Sequence, residues 1–276
     1  IAYSEAVDMN TVDVECITFL QNPAVSTSYQ YTLTNTSYTI STEPNVQVQI
    51  LLSENDINAM MAMTPNLLYS LSNTYISLKL GSVYDLATPA NAALVTLFRY
   101  GKQASALVRD TTPPTLRWYN MSVETGDIVM HFDELVVCDA VNPNQIILQS
   151  TQYNGAKKLF YRLSNASTAD CSFGPAYDNY VYITIDPTDL VALKTFIGFA
   201  KTQADTFLRL LPAAVSDTFG NGNAEILDGY AMQPSLFIPD TSAPQLLSFL
   251  VNRKQQLSLF FNEPVDTSTN VVREYY

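Results

Sequence analysis

Residues 110 to 136, DTTPPTLRWYNMSVETGDIVMHFDELV, return at 240 to 265 as DTSAPQLLSFLVNRKQQLSLFFNEPV. A chain that repeats itself is confined to folds in which one unit is used again. Ile128, Met130 and Phe132 recur as Leu257, Leu259 and Phe261, each 129 residues later, and Tyr3 stands 129 residues before Phe132. The match continues through Tyr3-Ser-Glu-Ala-Val7, Phe132-Asp-Glu-Leu-Val136 and Phe261-Asn-Glu-Pro-Val265, with an aromatic, a Glu and a Val in the same three places. A period of about 130 residues is too long for a solenoid unit and suits domains in series, each with its own core. The expected organisation is an incomplete repeat over 1–109 that lacks its first strand, a complete repeat over 110–239, and the start of a third over 240–276. On this reading the chain is a segment of a longer polymer, and flanking sequence or a neighbouring molecule completes both ends.

Offsets between the first two repeats drift slightly and mark the loops. Tyr31-Thr-Leu-Thr-Asn-Thr-Ser37 matches Tyr161-Arg-Leu-Ser-Asn-Ala-Ser167 at 130, whereas Val48, Ile50 and Leu52 match Val181, Ile183 and Ile185 at 133. The second repeat thus carries three extra residues, near Cys171. Val83-Tyr-Asp85 through Asn91 matches Val215-Ser-Asp217 through Asn223 at 132.

Most segments alternate apolar and polar residues, as in Val46-Gln-Val-Gln-Ile50 and Tyr180-Val-Tyr-Ile-Thr-Ile185, the pattern of strands with one face on a core. In the second repeat strands are expected near 115–123, 127–133, 145–150, 157–164, 180–185, 206–211 and 231–238. Seven short strands suit an immunoglobulin-like sandwich. One element departs from this pattern: Leu190, Leu193, Ile197 and Ala200 fall at helical spacing, with counterparts in Ile57, Met60, Met61 and Leu67. Asp186-Pro-Thr-Asp189 and Ser53-Glu-Asn-Asp56 supply capping and first-turn residues for a helix there. The fold class is therefore mainly β, as tandem immunoglobulin-like β-sandwich repeats with one α-helix inserted in each.

The DTTPPTL linker, the period-two strand, F-x-E-x-V and V-S-D-x-x-G-N together resemble the tandem immunoglobulin-like repeats of surface proteins, such as bacterial S-layer and adhesin stalks. With the helical run Asp189 to Lys194, the chain is similar to the long repeat arrays of protist and algal surface fibres, including the flagellar hairs called mastigonemes. The resemblance spans all 276 residues and implies a fold and a linker, not a catalytic site. It implies an extracellular glycoprotein at the cell surface or in an appendage, whose partners are chains of the same fibre or flanking repeats. The first repeat departs from it in lacking the first strand, and its turn reads Thr88-Pro-Ala-Asn91 without glycine.

Net charge is −12, and only 14 % of residues are charged, which argues against a nucleic-acid partner. No membrane span is readable in this segment. With a single histidine, His131, and no G-x-S-x-G, P-loop or G-x-G-x-x-G, no catalytic or cofactor-binding constellation emerges, and no enzyme activity is expected. Asp133 and Glu134 are strand neighbours pointing to opposite faces, so they do not converge.

Three N-x-Ser/Thr sequons, at Asn35, Asn120 and Asn165, are candidate N-glycosylation sites, and Asn35 and Asn165 recur in register. Cys138 and Cys171 occur together in the second repeat only, which suggests a disulfide; the alternative is two unrelated buried thiols. Cys16 is left buried and free or paired with another chain. No metal site is assigned. Calcium is the one metal considered, at Glu134, Asp217, Asp228 and Asp240, and good turn-forming chemistry is the simpler account of these residues. The 17 tyrosines either stack sugars or cover a sheet face that meets a neighbouring chain. Two functions follow: a structural segment of an extracellular fibre or stalk, or an adhesive, carbohydrate-binding region of a surface adhesin.

Overall fold

The computed structural model describes residues 1–24, 29–153, 155, 159–171, 177–254 and 256–266. The chain is mainly β and divides into two compact units, one built chiefly from Ile1–Pro113 and the other chiefly from Pro114–Tyr276.

The first unit contains β1 (Ala2–Asp8), β2 (Ile17–Leu20), β3 (Gln30–Thr32), β4 (Tyr38–Thr39), β5 (Asn45–Gln47), β6 (Ile50–Leu51), β7 (Tyr75–Leu78), β8 (Tyr84–Asp85) and β9 (Lys102–Gln103), with helix α1 over Glu54–Met61. Its sheets run β5-β1-β8, β3-β2-β7-β9 and β4-β6. Val7, Met9, Val48 and Val83 form one small core; Ile17, Leu33, Met60, Leu67 and Leu78 contribute to a second.

The second unit contains β10 (Leu116–Ser122), β11 (Asp127–Val137), β12 (Ile146–Gln149), β13 (Phe160–Arg162), β14 (Thr168–Asp170), β15 (Tyr177–Thr184), β16 (Phe207–Leu210) and β17 (Leu236–Ile238), with helix α2 over Pro187–Thr195. A separate hairpin follows, β18 (Leu246–Val251) and β19 (Leu257–Phe261). One sheet has the order β14-β15-β11-β10-β17 and the other β13-β12-β16. Both feed a single core, an arrangement consistent with a β-sandwich. Antiparallel register sets Leu116 opposite Phe132, Tyr119 opposite Met130 and Met121 opposite Ile128, and all six are buried. The facing sheet answers with Ile146, Leu148, Leu208 and Leu210. Each such side chain contributes about 1.5–3 kcal/mol by leaving water. Gly126, at φ +81°, closes the β10–β11 turn in a conformation that a side chain strains.

Several elements differ from the sequence reading, each for a local reason. Helix α2 stops at Thr195, so Ile197 lies beyond it and is 90 % exposed, while Ala200 is buried at φ +56° in the following turn. The helical spacing of these two residues is accidental. Strand β14 has no counterpart among the expected strands, since Thr168–Asp170 is too short to show a period. The expected strand over 231–238 is reduced to β17, preceded by an isolated bridge between Met232 and Leu208. Residues 157 and 158, the start of the expected strand over 157–164, lie outside the described residues.

Candidate functional site

The most developed polar site in each unit surrounds a buried aspartate on the helix. Asp56, fully buried in the first turn of α1, accepts hydrogen bonds from Tyr31 Oη (2.8 Å), Thr34 Oγ1 (2.9 Å), the Thr34 amide (3.2 Å) and Ser37 Oγ (2.5 Å). Asp189 of α2 accepts from Tyr161 Oη (2.8 Å), the Ser164 amide (2.8 Å) and Ser167 Oγ (2.9 Å). A second bond ties each serine hydroxyl to the strand–helix junction, from the Ser53 amide to Ser37 Oγ and from the Asp186 amide to Ser167 Oγ. Burial raises the Asp56 carboxyl, but hydrogen bonds from Ser37, Tyr31 and Thr34 outweigh it and hold the group below its ordinary range. For Asp189, burial is likewise outweighed by the donors at Ser164, Tyr161 and Ser167. Burial, and then the bond to the aspartate, pushes Tyr31 and Tyr161 up to about 12. These are charged anchors docking a helix to a strand. The signal lies in the repeat, since Tyr31/Tyr161, Ser37/Ser167 and Asp56/Asp189 all recur, although the sequence pattern assigns the aspartates no more than a first-turn position.

This network bears on the glycosylation candidates. The Ser of both in-register sequons, Ser37 and Ser167, is buried and engaged with the aspartate, so the fold alone requires its recurrence. The recurring Asn is a different matter: Asn35 and Asn165 are exposed at the turn. Asn120 is half-buried on β10, and its Oδ1 accepts from the Leu236 amide at 3.0 Å.

Cys138 and Cys171 are disulfide-bonded, with Cα atoms 5.9 Å apart. The bridge ties the end of β11 to the residue after β14. Cys16 is half-exposed and unbridged, and its Sγ donates to Asp13 Oδ2 at 3.3 Å. Burial and the Asp13 carboxylate push its thiol upward, away from the reactive thiolate.

Three of the acidic residues considered for calcium have structural partners. Asp217 Oδ1 accepts from the Phe219 and Asn221 amides at 2.9 and 2.7 Å, and its Oδ2 from Asn221 Nδ2 at 2.7 Å. Asp85 uses Asn91 in the same way, with 2.7 Å bonds to both the amide and the side chain. Asn91 therefore corresponds to Asn221, not Asn223, and the first unit's turn is two residues longer than its counterpart. Asp228 accepts from Gln149 Nε2 at 3.1 Å. Asp240 Oδ2 lies 3.0 Å from Lys194 Nζ, which also reaches Glu263 Oε2 at 3.4 Å. Lys194 thereby ties the helix to both the linker and the end of the last hairpin. Glu124 does similar work, accepting from the Thr241 amide at 2.6 Å and from Ser242 Oγ, and the Ser242 and Thr241 donors lower its carboxyl to about 2.

On the outer face of the second unit Trp118 stacks on His131, with centroids 5.1 Å apart and planes 12° apart, and Tyr180 packs 4.6 Å from the same His131 ring. All three are half-buried, and Tyr180 is spent on its neighbours. Among the described residues no helix is long and apolar enough to cross a membrane. No protein-family model, curated protein or solved structure matches the chain.

Proposed function

We propose that this chain is a non-enzymatic structural segment of an extracellular fibre or cell-surface filament, built from tandem immunoglobulin-like repeats with an inserted helix. The observation that supports this reading is that its most developed polar chemistry is repeated and architectural. Each aspartate, tyrosine and serine in the helix anchor serves to fix one element on another. The linker contacts of Lys194 and Glu124 restrain the segment after Ile238, as a chain of fixed geometry requires. Immunogold labelling of source cells with an antibody against this chain tests the proposal. Label along extended surface appendages is expected; label confined to the cytoplasm overturns it.

A second reading, a carbohydrate-binding region of an adhesin, is favoured by Trp118, which is half-exposed on the outer face with its ring held in place by His131 and Tyr180, since a fixed aromatic ring suits a sugar ring. Binding on a glycan array that disappears with Trp118→Ala selects this reading over the first.

A further inference from the structure

Each of the two in-register sequons stands beside a groove, of about 480 Å³ in the first unit and about 580 Å³ in the second, within the range of about 300–1,000 Å³ typical of small-molecule clefts. The two grooves are built alike. Met9, Val12 and Val14 supply apolar lining in the first, and Cys138, Val141 and Pro143 do so in the second, each 129 residues later. Two single-turn 3-10 helices in series shape this side, Met9–Thr11 with Val14–Cys16 and Cys138–Ala140 with Pro143–Gln145. The side chains of Asp13 and Asn142 cap the second turn, accepting from the Glu15 amide at 3.0 Å and the Asn144 amide at 3.2 Å. Val12 and Val141 donate their amides to Met9 O and Cys138 O and remain half-exposed in the groove. The turn that carries Asn35 or Asn165 completes the lining.

The aspartate that each sequon serine bonds accounts for the serine, but not for the asparagine. Among the described residues neither asparagine side chain makes a hydrogen bond, and neither residue has the positive φ at which a turn selects asparagine. What recurs with each asparagine is the groove.

We infer that each groove seats the first sugar of an N-linked glycan carried by its own asparagine. In the covalent step a transferase joins Asn Nδ2 to the anomeric carbon of an N-acetylglucosamine. The bond from that carbon to the diphosphate of a lipid-linked donor breaks, the lipid diphosphate leaves, and the Nδ2 proton passes to the transferase. The sequon hydroxyl that the transferase must read is buried in the folded unit and bonded to Asp56 or Asp189. Modification therefore precedes folding, and one serine serves the transferase first and the helix anchor afterwards. On folding, the apolar ring face and acetyl methyl of the sugar would meet Val12 or Val141, and its hydroxyls the polar groups of Asn10 and Asp13 or of Asp139 and Asn142. The inference rests on the extracellular reading proposed above.

The test expresses the full 276-residue chain behind a secretory leader in cultured eukaryotic cells. Site-by-site mass spectrometry should find glycan on both Asn35 and Asn165. Hydrogen exchange is then compared with that of Asn35→Gln and Asn165→Gln, exposed-turn substitutions that each remove one glycan. The Val12 amide should exchange about fivefold faster or more in Asn35→Gln, and the Val141 amide likewise in Asn165→Gln, while the Phe19 and Leu148 amides on β2 and β12 stay unchanged. An asparagine found bare, unchanged exchange at Val12 and Val141, or an equal change at Phe19 and Leu148, which marks general stabilisation without docking, overturns the inference. The added leader makes these results independent of where source cells place the chain, so this failure and that of the fibre reading are distinguishable.

Discussion

Asp56 and Asp189 are each ionised while buried, and four side-chain or backbone donors aimed at the first and three at the second make this cost less than it returns. Their carboxyls lie below the ordinary value of about 3.9, so the unfolded chain binds protons first as pH falls. The stabilisation is complete above that value and is lost as pH descends from about 4 through the depressed folded values. Thermal melts from pH 7 to pH 2 should therefore show a steep loss below pH about 4 that Asp189→Asn makes shallower. Tyr119 presents the opposite case. Its hydroxyl is buried in the core with no hydrogen-bond partner among the described residues, and burial alone drives its pKa far upward. Tyr119→Phe removes an unsatisfied group without changing shape, and should stabilise the second unit by about 1 kcal/mol in urea titrations. The chain already holds Phe249 at the equivalent place, 130 residues on.

The elements divide into those that sequence periodicity reveals and those that side-chain chemistry fixes. Strands β10 and β11 are legible because their core residues alternate over a long stretch, and a register error would turn Met130 and Phe132 outward. The end of α2 is not legible: Ile197 continues the helical spacing, yet the chain has already turned. Nor was the longer turn of the first unit, because Asn91 and Asn223 match by letter while Asn221 performs the bond that Asn91 performs. The helix anchor was half legible, since the recurrence of its residues is visible but their convergence on one carboxylate depends on how β3 and β13 approach the helices. The Cys138–Cys171 bridge closes a loop of 33 residues between β11 and β14, and a cross-link of that span restricts the unfolded chain by about 3–4 kcal/mol. Replacing both cysteines by alanine should lower the second unit's stability by about that amount in chemical denaturation, with no effect on the first unit.

At the level of the molecule, two strands at one edge of the second unit's larger sheet explain a property that neither composition nor burial conveys. Strand β17 lies parallel to β10, with Asn120 opposite Leu236 and Ser122 opposite Ile238, and two further bonds run from Ser235 to Tyr119 O and from Val123 to Ile238 O. The chain enters this unit's two-sheet core at the start of β10 and leaves that core at the end of β17. Tension applied along the polypeptide therefore draws the two neighbouring strands past each other in opposite directions, across their rungs. Loaded in this way, the rungs share the force and must yield together, whereas a hairpin pulled open at its mouth gives way one rung at a time. The same short parallel pair that closes the sheet's edge thus acts as a shear pin, and the unit resists being drawn out at the point where the strain first arrives.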